Sequence, residues 1–172
     1  MKIHYLTLTL DKGYGGIRVL FNIMNLLASK GHEVTLTTVL PQHRLPFALN
    51  KHVTLNQIEC AKLNFLVMGV CRILRMMFGY DLDSYGAIRK FVSKKIPECD
   101  INVACSCRDL FPVYESQKGI PFHHMQHDEV LISSDLYVKT VGDEAYHLPI
   151  KRMVNSTWLK NRMREGYGLE LP

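Results

Sequence analysis

Apolar and polar positions alternate along residues 2–8 (KIHYLTL), a stretch rich in strand formers, which predicts a first β-strand. Residues 9–16 are turn chemistry, and the period then lengthens to that of a helix over 16–30. On that helix Arg18, Asn22, Asn25 and Ser29 form a narrow polar stripe. The remaining positions are mostly apolar, so the helix is expected to be buried over most of its circumference. KGHEVTLTTVL then supplies a glycine stop and a second strand over 33–39. Strand, turn, helix and strand in this order form a βαβ unit, which requires a parallel, right-handed crossover.

The same alternation continues. HVTLNQI (52–58) predicts a third strand, and two helical stretches follow over 62–79 and 83–96, divided by GYDLDS, where Asp81 or Asp83 can cap the second. The short apolar runs DINVACS (100–106), PFHHMQH (121–127) and IKRMVNS (150–156) read as strands of a buried parallel sheet. The last leads into a helix over 156–166 capped by Asn155 or Ser156. No repeat or linker divides the chain. The expected fold is a single α/β domain spanning 1–172, a doubly wound, mostly parallel, Rossmann-like sheet.

Composition narrows the function classes. The 172 residues are 47% hydrophobic and 22% charged, which suits a globular protein with a real core. The longest apolar stretch, LNFLVMGVCRILRMMF, is broken by Asn64, Arg72 and Arg75, too short for the ~20 residues of a membrane span. The N-terminus shows no signal-peptide cleavage site, so the chain is expected to stay in the cytoplasm. Of five cysteines none forms CxxC; Cys105 and Cys107, a CxC, make a poor zinc site and are expected in the core or at a strand end. A net charge of +5 favours anionic partners without choosing among phosphates, nucleic acid or an acidic lipid surface.

The turn DKGYGGIR joins the first strand to a helix N-terminus, where backbone N–H groups and the helix dipole favour an anion. Its GxGG spacing is neither the dinucleotide fingerprint GxGxxG nor a Walker loop. No acidic residue stands near the end of the second strand to bind a ribose, which counts against NAD or FAD. The bland alternative is that Gly13, Gly15 and Gly16 merely permit a tight turn.

GGIRVLFNIMNLLASKGHEVTLTT resembles the opening of the retaining family-four glycosyltransferases, the glycogen-synthase-like type with a two-domain GT-B fold. HHMQHDE resembles the family's strand ending in a cleft histidine, and KRMVNSTWLKNRMREGYG its strand ending in NS before the crossover to the second domain. The resemblance implies that Gly15 and Gly16 bring backbone amides to the leaving diphosphate of a nucleotide sugar. Arg18 would reach the same anion or simply cover the helix face. Lys12 and Tyr14 flank the turn on the possible acceptor side, although Lys12 reads first as a solvated loop lysine. His127 matches the histidine that contacts the donor sugar and supports its developing charge. Asp128 would orient His127, bind acceptor hydroxyls or cap a helix. On a regular strand His123 and His127 would face one way and His124 the other, so a metal cluster is not expected, and satisfied core or edge imidazoles are the plain expectation for His123 and His124.

The family implication is an N-terminal, acceptor-side lobe that works without metal or cofactor. Its partners would be a nucleotide-diphosphate sugar, a glycan or lipid-linked acceptor and a C-terminal domain, with no nucleic acid. That second domain, with its Glu-x7-Glu pair, is absent from these 172 residues, so the chain is expected to be inactive alone. The 62–79 stretch would lie in an anionic membrane surface or form a core helix whose arginines reach solvent. Two other classes stay open: a stand-alone anion-binding module and a nucleotide-dependent oxidoreductase.

Overall fold

The computed structural model describes residues 1–8, 10, 15–38, 45–58, 70, 73, 76–77, 84–134 and 136–171. Its strands are β1 (Lys2–Thr7), β2 (Glu33–Thr38), β3 (Val53–Gln57), β4 (Ile101–Ala104), β5 (Ile120–Met125) and β6 (Lys151–Val154). They form one sheet in the order β3-β2-β1-β4-β5-β6, with every neighbouring pair parallel. The helices are α1 (Gly15–Ser29), α2 (Ser84–Lys95), α3 (Cys107–Glu115), α4 (Glu129–Ile132), α5 (Leu136–Tyr146) and α6 (Thr157–Tyr167). The expected Rossmann-like α/β architecture is therefore present, and its strand order reverses between β1 and β4.

Alternation along the strands produces two cores. Ile3 and Tyr5 of β1, with Val34, Leu36, Val53 and Val103, pack under α1 on one face of the sheet. Leu6, Ala104 and Met125 pack on the other face with residues of α2, α3, α5 and α6. The first strand is tied laterally as well. His4 lies between Asn102 Oδ1 and Thr37 Oγ1, each 2.7 Å from a ring nitrogen, and so links β1 to β4 and β2.

Helix α1 differs from the expectation of burial on most sides. Leu20, Phe21, Met24 and Ala28 are buried, but Val19 and Leu26 are exposed along with Arg18, Asn22 and Ser29. As one of the layers outside the sheet, α1 has only one face to bury, whatever its composition. Asn25 of the polar stripe is not idle: its amide donates to the Ala48 carbonyl and its Oδ1 accepts the Asn50 N–H, fixing the approach to β3.

The expected 62–79 helix and the Asp81 or Asp83 cap lie largely outside the described residues. Within it Val70, Ile73, Met76 and Met77 are helical and exposed, which does not suit a core helix at those positions. Among the described residues no helix is long and apolar enough to cross a membrane.

Candidate functional site

In an open α/β sheet the crevice for a ligand lies beyond the carboxyl ends of the strands, where the strand order reverses. A cavity of about 560 Å³ occupies that position here. Each wall residue follows from the topology. Thr7 ends β1, Cys105 and Ser106 follow β4, Gln126, His127 and Glu129 follow β5, and Asn155 follows β6. Gly16, Ile17 and Leu20 come from the first turns of α1.

Gly16 and His127 are thus brought together, although 111 positions separate them in the chain. The first turn of α1 contains no acidic residue, so its leading N–H groups keep their positive end. The Gln126 amide donates to the Gly16 carbonyl at 3.0 Å, and the Gln126 carbonyl accepts from Asn155 Nδ2 at 3.0 Å. These two bonds join the ends of β5 and β6 to the start of α1.

Strand β5 stops at Met125, so strand alternation does not set the direction of His127, whose ring is exposed beside the cavity. Partial burial lowers its pKa, against the opposing pull of Asp128, so the imidazole is neutral near pH 7. His123 and His124 do lie within the strand. Contrary to the expectation of satisfied imidazoles, both His123 nitrogens and His124 Nδ1 are buried without a hydrogen-bond partner among the described residues. Burial, reinforced by Arg152, pushes the His123 pKa down to about 3.

Asp128 does not line the cavity; it is a clasp. Its carboxylate is buried and caps α4 by accepting the Leu131 N–H at 3.2 Å. It also accepts from Arg162 Nε at 2.9 Å and from the Tyr167 hydroxyl at 3.0 Å, both on α6. The helix-cap alternative is the one the geometry displays. Arg18 is exposed and is not among the wall residues, while Lys12 and Tyr14 lie outside the described residues. Ser156, not Asn155, caps α6, accepting the Leu159 N–H at 3.2 Å.

Two carboxyl groups missing from the sequence analysis shape the electrostatics. Asp109 is fully buried and accepts from the Leu8 N–H at 3.0 Å and from Ser106 Oγ at 2.8 Å. Burial pushes its pKa up to about 7 against those bonds. Glu129 accepts the Cys107 N–H at 3.0 Å, and burial raises it to about 7 as well. The Cys105 thiol on the wall is pushed well above its usual range by burial, and Cys107 to about 12, so both stay protonated. Among the described residues no three His, Cys, Asp or Glu side chains are grouped to hold a metal ion. Gln126, Glu129 and Asn155 share one signal that sequence reasoning can use: each lies within four residues after a parallel strand.

The chain matches no protein-family model and no curated protein.

Proposed function

We propose that this chain is the lobe of a glycosyltransferase that receives the leaving diphosphate of a nucleotide-diphosphate sugar. The sugar would pass to a hydroxyl of a glycan or lipid-linked acceptor. One observation carries the reading: the N-terminal turn of α1 at Gly16 and the exposed ring of His127 share one cavity at the reversal of strand order. As the bond from the sugar to the diphosphate breaks, negative charge grows on the leaving oxygen and positive charge on the sugar ring. Backbone N–H groups at α1 oppose the first change without any reorganisation. A neutral imidazole at His127 can hydrogen-bond the sugar without adding a positive charge beside the second. The resemblance of GGIRVLFNIMNLLASKGHEVTLTT and HHMQHDE to family-four enzymes supports the same assignment. A lipid-linked acceptor would fit the exposed apolar positions Val70, Ile73, Met76 and Met77 of the 62–79 stretch, at an anionic membrane surface on the cytoplasmic side.

The strand order also suits dinucleotide-binding proteins, which keeps the oxidoreductase reading in competition. Against it, β2 ends in Thr37 and Thr38, and residues 39–44 contain no carboxylate to hold a ribose. Titrating the isotope-labelled chain with UDP-glucose, GDP-mannose and NAD separates the two. A nucleotide sugar is expected to shift the amides of Gly16, Ile17, Ser106 and His127. A stronger response to NAD, centred on Thr38, overturns the proposal.

A further inference from the structure

Most polar side chains on the cavity wall are already committed to one another. Ser106 Oγ donates to Asp109, the Gln126 amide to the Gly16 carbonyl, and the Asn155 amide to the Gln126 carbonyl. Glu129 is held differently. Its backbone N–H donates to the Tyr146 hydroxyl at 3.1 Å, and its Oε2 accepts the Cys107 N–H at 3.0 Å. Main chain and side chain are thereby both fixed, and the bond to Cys107 leaves Oε1 for a ligand.

The same bond decides which way round a ligand can lie. Two helices of adequate length begin at this cavity, α1 at Gly15 and α3 at Cys107. Either N-terminus would attract a phosphate. That of α3 already carries the Glu129 carboxyl, in the position an anion would take, and Asp109 lies in its first turn. A phosphate there would meet two acidic groups. Among the described residues the N-terminus of α1 has neither, so the anionic end of a ligand belongs at Gly16 and its neutral end toward Glu129.

We propose that Glu129 is a sugar-binding residue of this cavity, its Oε1 hydrogen-bonded to a hydroxyl of the hexose whose phosphate lies at the N-terminus of α1. The inference rests on the reading of the cavity as a sugar-diphosphate site and adds the polarity of the ligand within it. A carboxyl suits the task in either protonation state, because a hydroxyl both donates and accepts.

The test compares inorganic phosphate with glucose, galactose, mannose and N-acetylglucosamine 1-phosphates, titrated into the labelled chain and followed by amide shifts. In the wild type the best sugar phosphate is expected to bind ~10-fold tighter than phosphate, the size of effect one buried hydrogen bond gives. Glu129→Ala should abolish that excess while binding inorganic phosphate no more weakly, since it frees the Cys107 N–H. Glu129→Gln, which can still bond a hydroxyl, should keep most of the excess. A purely structural glutamate would lower both affinities together in the alanine variant, and that result overturns the proposal. So does an excess that survives Glu129→Ala, or a wild type that prefers no sugar phosphate. Failure of the wild type to bind phosphate at all removes the underlying site reading instead, and this inference with it.

Discussion

Among the described residues a methyl group added at Gly15 would meet no atom within 4 Å, whereas one at Gly16 would lie 2.5 Å from Gln126 Oε1. The two glycines therefore separate experimentally. Gly15→Ala keeps its N–H and should raise stability by about 0.5 kcal/mol through the unfolded chain, leaving phosphate affinity within about twofold. Gly16→Ala must shift the flexible end of the Gln126 side chain, which also bonds the Gly16 carbonyl, and phosphate affinity should fall by ~3–10-fold where that latch sets the cavity wall. Equal behaviour of the two variants, measured by thermal melting and by titration, would mean that the Gln126 latch is irrelevant to the cavity. His127→Ala, an exposed truncation, should fold normally and, on the proposed glycosyltransferase reading, reduce sugar transfer by ~10²-fold in the complete enzyme. Unchanged turnover would take His127 out of the chemistry. Gly16 and His127 were legible in the sequence because each sits in a short pattern with a mechanism. Gln126, Asn155 and Glu129 were not: an amide or carboxyl after a strand means little until the strand order is known.

Elements are held by groups whose local pattern looks ordinary. Asp128 joins α4 to α6 through Leu131, Arg162 and Tyr167, directly beside His127. Arg162 is partly exposed and can recover water if its partner is lost, so the ion pair itself adds modestly. Asp128→Ala also strips the cap and leaves the Tyr167 hydroxyl unpaired, which together should lower stability by about 2 kcal/mol in urea unfolding. A change below about 0.5 kcal/mol would show that the clasp is not stabilising. The strands and α1 were read nearly to their ends because their periods are plain. Helices α3 and α5 were not singled out, for physical reasons. Pro112 interrupts the α3 sequence, and Gly142 within α5 reads as a break. The structure gives Gly142 a packing reason: a Cβ there would lie 2.3 Å from Val130 Cγ2 and 3.3 Å from Cys107 Sγ. Tertiary contact overrides helix propensity at that position.

At the scale of the whole molecule, His4 and His123 on one side and Asp109 and Glu129 on the other couple folding to pH with opposite signs. Burial lowers His4 to about 4 and His123 to about 3, so below their usual value of 6.5 the unfolded chain binds the extra protons. Their contribution to stability is complete above pH 6.5 and is lost as the pH falls toward 4 and 3. Burial raises Asp109 and Glu129 from 3.8 and 4.5 to about 7, so between those limits the folded chain binds the extra protons. Their contribution is complete below about pH 4 and is lost as the pH rises through 7. Between about pH 4.5 and 6 the two pairs oppose each other, and these groups should leave wild-type stability nearly flat. Asp109→Asn removes one descending contribution while its amide can still accept the Leu8 N–H and donate to Ser106 Oγ. The variant should therefore gain stability with rising pH across that window relative to wild type, by up to about 1.4 kcal/mol per pH unit. Urea unfolding of both proteins at pH 4.5, 5.5 and 6.5 measures the slopes. Parallel profiles would mean that Asp109 is ionised in the folded protein throughout, and that the Leu8 N–H is held by a carboxylate rather than by a neutral acid.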